Sequence, residues 1–498
     1  MAVVLSIDAG TTGVRTLAID DHGLTRTSAY REFPQHFPRP GWVEHDPEDI
    51  WQATLTTLAE VVAHLADSGE SIAAVGITNQ RETVVVWDRS TGRVPHRAIV
   101  WQDRRTARRC DELRDAGAEP LVRARTGLVL DPYFSATKLE WLFTTGGLEP
   151  TPDLAFGTVD TWLLWRLTGG IDGGVHATDA SNASRTMLYD LDTGDWSDEL
   201  LSLFGVPRAC LPVVMASSGR FGTTHPSVAA GLAVPVSGIA GDQQSALFGQ
   251  ACFSPGMSKN TYGTGSFVLV NLGEHHPDPV DGLLTTVAWR IGDVTTFALE
   301  GAIFVTGAAI QWLRDGLGIV VDAAETGPLA ESVADTGGVV FVPAFTGLGS
   351  PFWDPYARGT ILGITRGTGR AHLARAVVEA MAWQTRDVVD AMTTASGRAV
   401  AELRVDGGAA VMDMLCQLQA DVLGVTVRRP TVRETTALGA AYLAGIAEGV
   451  WASPDEAAAA WREDASFTPR GSIDDIERRY AQWQRGVERS RGWALDAG

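Results

Sequence analysis

The sequence predicts an α/β protein of two large domains facing a cleft. Strand-like and helix-like patterns alternate through both halves of the chain. Two hairpins rich in Gly and Thr open at Val3 and Met257, half a chain apart. Gly-rich loops follow apolar runs at several places, where folds of this class bind ligands. At about 150 residues per domain, 498 residues divide into about three, and two large domains fit equally well. The boundary is expected at 249/250, giving domains 1–249 and 250–498.

The first hairpin is strand Val3–Ile7, loop Asp8-Ala9-Gly10-Thr11-Thr12-Gly13 and return strand Val14–Ile19. Asp46-Pro47-Glu48-Asp49 then opens a helix, with Asp as N-cap and Pro at its first position, expected to run to Val61-Val62. Ala73–Thr78 and Val84–Trp87 read as strands. Gly169-Gly170 and Gly173-Gly174 flank a turn. Val236–Gly241 is an apolar strand, and a helix of small residues follows Asp242. The second hairpin joins Met257–Tyr262 to Phe267–Val270 through Gly263-Thr264-Gly265-Ser266. Glu300–Asp315 is expected to be a helix, and 343–359 loop-rich. Leu403–Val405 is a strand capped by Asp406-Gly407-Gly408, and the helix after it, Val411–Leu423, stops at Gly424.

Charge narrows the partners. Forty Lys+Arg against 60 Asp+Glu leave −20, which repels nucleic acid and anionic membranes. Any phosphate site must then be built locally from N–H groups, a metal or a few placed cations. Four scattered cysteines suggest neither a zinc site nor a disulfide framework. No signal peptide and no membrane span is read, so the expected location is cytoplasmic.

Taken singly, the motifs are modest. The Asp8–Gly13 turn can present N–H groups and hydroxyls to an anion, with Asp8 beside a hydrated Mg²⁺, or can be a plain turn. It lacks the ending of a Walker loop. Asp242 at a strand end suits a general base, and equally an N-cap. Arg81-Glu82 suits a polyol, whose hydroxyls both donate and accept. Trp101 could face its C–H edge or sit in a core. The cluster Arg104, Arg105, Arg108 and Arg109 is read as a solvated helix face.

The order of segments is far more specific. It includes Gly41-Trp42-Val43-Glu44-His45-Asp46-Pro47, Gly76–Thr83, Thr126–Ser135, Phe156–Trp162, Asn182–Met187, Gly241–Gln244, Asn260–Gly265 and Pro343–Gly349. Tyr133-x-Ser135-x-x-Lys138-Leu139-x-Trp141-Leu142 and Gly359-x-Ile361-x-Gly363-Ile364 complete the set. Through these the chain resembles the FGGY carbohydrate kinases, and within them the branch that phosphorylates glycerol.

The resemblance implies two ribonuclease-H-like domains of the actin/hexokinase/Hsp70 type around a catalytic cleft. It implies transfer of the ATP γ-phosphate to glycerol, with Mg²⁺ and a homo-oligomer, dimer or tetramer. By position, Arg81, Glu82, Tyr133, Asp242 and Gln243 match polyol-binding residues, and Trp101 and Phe267 the apolar platform. Asp242 matches the catalytic base, and Asp8 and Asp242 the carboxylates near the metal. Thr11, Thr12, Gly13, Arg15, Thr264, Gly307, Gln311, Gly408 and Met412 match nucleotide contacts.

Departures carry expectations too. Ala9 stands where the family usually has glutamine, and Gly13-Val14 where it has two serines, so a hydroxyl near the phosphates is lost and altered nucleotide affinity is expected. Met412 replaces an asparagine near the adenine. Gly231-Leu232-Ala233 lacks the arginine through which some relatives bind fructose 1,6-bisphosphate, so no such inhibition is expected. His225 is read as a solvated loop residue. Two alternatives stand beside glycerol: another polyol or ketose such as erythritol or xylulose, and a non-catalytic actin-like assembly protein. The intact Arg81-Glu82, Trp101 and Tyr133 set favours glycerol over the first, and the presence of both Asp8 and Asp242 argues against the second.

Overall fold

The computed structural model describes residues 2–495. Thirteen strands form one mixed sheet. In the first half these are β1 (Ala2–Ala9), β2 (Gly13–Asp20), β3 (Thr25–Glu32), β4 (Ser71–Asn79), β5 (Ser218–Thr223) and β6 (Pro235–Gly241). In the second they are β7 (Met257–Tyr262), β8 (Ser266–Gly273), β9 (Leu284–Ile291), β10 (Val294–Ile303), β11 (Glu402–Gly407), β12 (Thr426–Pro430) and β13 (Glu463–Phe467).

The two halves repeat one device. β1 and β2 pair antiparallel, and β1 then pairs parallel with β4. Likewise β7 and β8 pair antiparallel, and β7 pairs parallel with β11. Both expected hairpins are therefore present. The half-sheets join through the single pairing of Ser218 on β5 with Ile291 on β9. Parallel strands β1, β4 and β6 are buried on both faces, as their near-continuous apolar sequences require.

The helix Pro47–Ser68 starts as expected, with the Asp46 carboxylate accepting from Glu48 N at 2.9 Å. It runs past Val62 because buried Leu65 still faces the core, and it stops at left-handed Gly69. The helix expected from Glu300 does not begin there. Residues 300–303 finish β10, paired with β8 on one side, and Glu300 also with β9 on the other. Helix begins only at Gly307, runs to Gln311 and widens into a π turn over Trp312–Gly316. The β-branched and aromatic run Val294-Thr295-Thr296-Phe297 carries the strand onward, and the isolated acid reads as a helix start only without its partners. The helix expected from Val411 begins at Asp413, after a 3₁₀ turn over Gly408–Val411. Arg105 also departs from the solvated reading. It is buried against Trp42, its guanidinium 3.7 Å from the ring, and ion-paired to Glu44 and Asp103, whereas Arg108 is exposed.

One helix ties the halves together. Thr435–Ala447 follows the second half's strand β12 yet packs on β1, β4 and β6 of the first. Its approach to the helix Asp242–Gly249 is so close that a Cβ on Gly439 would lie 1.8 Å from the Ser245 carbonyl oxygen. Only glycine fits there, and the contact is backbone against backbone, so it cannot relax by rotating a side chain. Gly439→Ala is expected to destabilise the protein by about 2–3 kcal/mol in urea unfolding. An unchanged midpoint would show that this contact yields.

Candidate functional site

The ends of the parallel strands define the site. In register, Asp8 of β1 lies opposite Thr78 of β4, and Gly241 of β6 opposite Asn79. The chain leaves β4 into Gln80-Arg81-Glu82 and leaves β6 into Asp242, the first residue of a helix. Glu82 adopts φ 61°, a left-handed conformation that costs a non-glycine residue about 1–3 kcal/mol and is found mainly at functional sites.

Arg81 is almost wholly buried and saturated. Its guanidinium reaches Glu300 at 2.5 and 3.2 Å, the Tyr133 hydroxyl at 3.1 Å, Gln244 at 3.2 Å and Asp242 at 3.1 Å. A second buried arginine, Arg185, donates to Glu82 at 2.7 Å and to Glu300 at 2.9 Å. Two guanidiniums thus share Glu300 and flank Glu82. Burial alone would protonate Glu300, but Arg185 and Arg81 outweigh it and hold the carboxyl down to about 2. Glu82 goes the other way: burial outweighs the same two arginines and raises it. Burial also pushes the Tyr133 phenol up, so it stays a neutral hydroxyl. Because that oxygen accepts from Arg81, its own proton is free to donate elsewhere.

The remaining expected residues of this group gather round it. The Trp101 indole donates to Thr11 Oγ1 at 3.0 Å and packs edge-on to Tyr133, centroids 5.6 Å apart. The Phe267 ring lies 5.8 Å from the Arg81 guanidinium. Gln243 accepts a hydrogen bond from buried Lys259, which also donates to Thr261 at 3.0 Å. Burial lowers Lys259 to about 8. Asp8 is raised to about 7, first by burial and then by Asp242 across from it, with Arg15 opposing. Arg15 itself pairs with Glu434 at 3.2 Å.

The second half supplies a facing edge. Tyr262 of β7 pairs with Gly407 of β11, which brings the Gly263–Gly265 turn beside Gly408. Thr264 O accepts from Thr306 N and Ala308 N at 2.9 and 3.0 Å, and Gly307 N donates to Gly263 O at 3.0 Å. Gln311 is exposed at the end of its helix, and Met412 is half-buried before Asp413. Among the described residues neither side chain bonds to the Arg81 group. Thr12 is exposed at the tip of the first hairpin and Gly13 is buried at the start of β2. A separate cavity of about 560 Å³, lined by Val339, Trp383, Arg479 and Trp483 among others, contains none of these residues.

Residues 3–249 match the N-terminal domain of the FGGY family of carbohydrate kinases, and residues 258–448 its C-terminal domain. The chain belongs to the FGGY family of carbohydrate kinases. It is 54% identical to glycerol kinase 2 of Thermotoga maritima, with 99% of each chain covered. It is 53% identical to the glycerol kinase of Carboxydothermus hydrogenoformans, again over 99% of both. Among solved structures it superposes on Plasmodium falciparum glycerol kinase with ADP at a TM-score of 0.91, 34% identity and 98% of each chain. The architecture is accordingly the two-domain, actin/hexokinase-like FGGY fold with its large mixed sheet.

Sequence reasoning missed three members of this candidate site. Glu300, Arg185 and Lys259 are each wholly buried and each bonds to a residue that was singled out. A signal existed for Glu300, a lone acid inside the apolar run Phe297-Ala298-Leu299, but the helix reading hid it. Replacing Glu300 by Gln leaves two buried guanidiniums short of a counter-charge. A loss of about 3–5 kcal/mol is expected in chemical unfolding, and a loss under 1 kcal/mol would mean that the arginines find other partners.

Proposed function

We propose that this chain transfers the γ-phosphate of ATP to a terminal hydroxyl of glycerol, giving sn-glycerol 3-phosphate. The observation that carries the reading is the convergence of Arg81, Glu82, Tyr133 and Asp242 with the rings of Trp101 and Phe267 beside them. Fixed donors and acceptors next to apolar rings suit a small polyol, which has hydroxyls on one edge and C–H groups on the other.

Asp242 is the residue proposed as general base. Glu82 and Glu300 are sealed in and tied to arginines, whereas the Asp242 side chain keeps 30% exposure. It is therefore the carboxylate of the group most open to an incoming hydroxyl. Its contact with Arg81 Nε holds its direction. In phosphoryl transfer the transition state is loose, so the base orients the hydroxyl in line and accepts its proton late. Arg81, Glu82, Tyr133 and Gln243 would bind the remaining hydroxyls. Thr11, Thr12, Gly13 and Arg15 from the first half, and Thr264, Gly307, Gln311, Gly408 and Met412 from the second, would bind the nucleotide.

Asp8, at the end of β1, and Asp242, at the end of β6, are the carboxylates that would hold a magnesium ion. A bound magnesium supplies neutralisation of the phosphate oxygens. Closure of 1–249 onto 250–498 would exclude water from the transfer. Free, buried cysteines at 110, 210, 252 and 416 suit a reducing, cytoplasmic location, and no described helix is long and apolar enough to cross a membrane. A homo-oligomer is proposed on family likeness.

Coupled ADP release tests the reading across glycerol, dihydroxyacetone, erythritol and xylulose. Glycerol is expected to give the highest kcat/KM, and absence of turnover on all four would refute kinase activity on these acceptors. Asp242→Asn should lower kcat by about 10³-fold with ADP affinity preserved, and near-normal turnover would remove it from the base role. Fructose 1,6-bisphosphate at millimolar concentration should leave the rate unchanged, because Gly231-Leu232-Ala233 offers no cation.

A further inference from the structure

The return strand of the first hairpin makes a further pairing that the expected nucleotide contacts leave unexplained. β2 and β3 run antiparallel with Gly13 opposite Glu32, Val14 opposite Arg31 and Arg15 opposite Tyr30. Positions 13, 15 and 30 therefore share one face of the sheet. On that face Tyr30 leans diagonally across Gly13. A Cβ at residue 13 would lie 2.6 Å from the Tyr30 hydroxyl, 2.7 Å from its ring and 2.6 Å from the Arg31 carbonyl oxygen. The backbone of β3 thus excludes any side chain at 13, and the tyrosine hydroxyl fills the vacated volume.

Two further contacts aim this tyrosine at the phosphate loop. The Arg15 guanidinium stands over its ring, 5.4 Å from the centroid, and is tethered on its far side by Glu434 at 3.2 Å. Arg15 lies directly opposite Asp8 in the β1–β2 register, so this face borders the Asp8 turn. Tyr30 is 39% exposed, so its hydroxyl is open to a ligand. An exposed phenol beside an arginine at the root of a Gly/Thr turn is arranged to meet an anion.

We propose that Tyr30 is a nucleotide-positioning residue: its hydroxyl donates to a phosphate oxygen from the place a residue-13 side chain would occupy, and its ring braces Arg15. The inference rests on the kinase reading above. It supplies from the neighbouring strand the hydroxyl that Gly13 cannot carry, so the glycine need not weaken the phosphate loop.

The test is MgADP titration by calorimetry on the full chain, together with KM for ATP and for glycerol. Tyr30→Phe keeps the ring and loses the donor. It should weaken ADP about tenfold and raise KM for ATP in step, with KM for glycerol within about twofold of the parent. Tyr30→Ala also frees Arg15 and should weaken ADP further than Tyr30→Phe. Melting temperatures of both variants report folding. If Tyr30→Phe binds ADP like a parent that itself binds ADP and turns over, the Tyr30 proposal is overturned and the kinase reading stands. If the parent binds no ADP and does not turn over, both fall together.

Discussion

The site depends on a buried exchange of charge among Arg81, Arg185, Glu82 and Glu300. None of these side chains is more than 2% exposed. Isolated charges at that depth would not survive, so each must be paired and hydrogen-bonded on several sides. Sharing Glu300 between two guanidinium forks meets that demand and leaves little freedom to any member. Three consequences follow. Arg81 is held with one nitrogen toward Asp242. Tyr133 is held as an acceptor with a free proton. Glu82 is fixed despite its left-handed backbone. Precise placement of donors and acceptors is what phosphoryl transfer asks of a protein.

The fold brings these residues together by aligning strand ends. Asp8, Arg81 and Asp242 come from β1, β4 and β6, parallel neighbours that finish at one level. Glu300 comes from β10 across the junction, so the charge network spans both halves of the sheet. The helix Thr435–Ala447 crosses in the same sense, and its glycine lets two helices approach at backbone distance. The overall charge of −20 is reconciled with an anionic nucleotide by this local construction. Under the proposed function, turn N–H groups, Arg15 and a metal held by Asp8 and Asp242 would supply the attraction that the surface as a whole withholds.

Much of this could be read from residue order. Both hairpins, the capped start at Asp46-Pro47 and the strand into Asp242 have local signals, namely alternation, turn residues and caps. The polyol-facing candidates were readable because Arg81-Glu82 and Asp242 follow strands directly. What escaped depends on partners far apart in the chain. Glu300 is stabilised by arginines 219 and 115 residues away, and its one local mark, an acid after an apolar run, does not reveal those partners. Arg105 looked solvated within a run of arginines because its tryptophan and acid partners come from other segments. Gly13 looked like a lost hydroxyl, and only the register of β2 against β3 shows what fills its place.

Arg185 offers the cleanest probe of the buried network, because it bonds to Glu82 and Glu300 and not to Asp242. Arg185→Lys keeps the charge but cannot reach both carboxylates with one fork. Glycerol and MgADP dissociation constants should be measured on this variant and its parent by calorimetry. The network account predicts a glycerol constant raised about tenfold or more with the ADP constant unchanged. Equal glycerol affinity in a folded Arg185→Lys protein would contradict it.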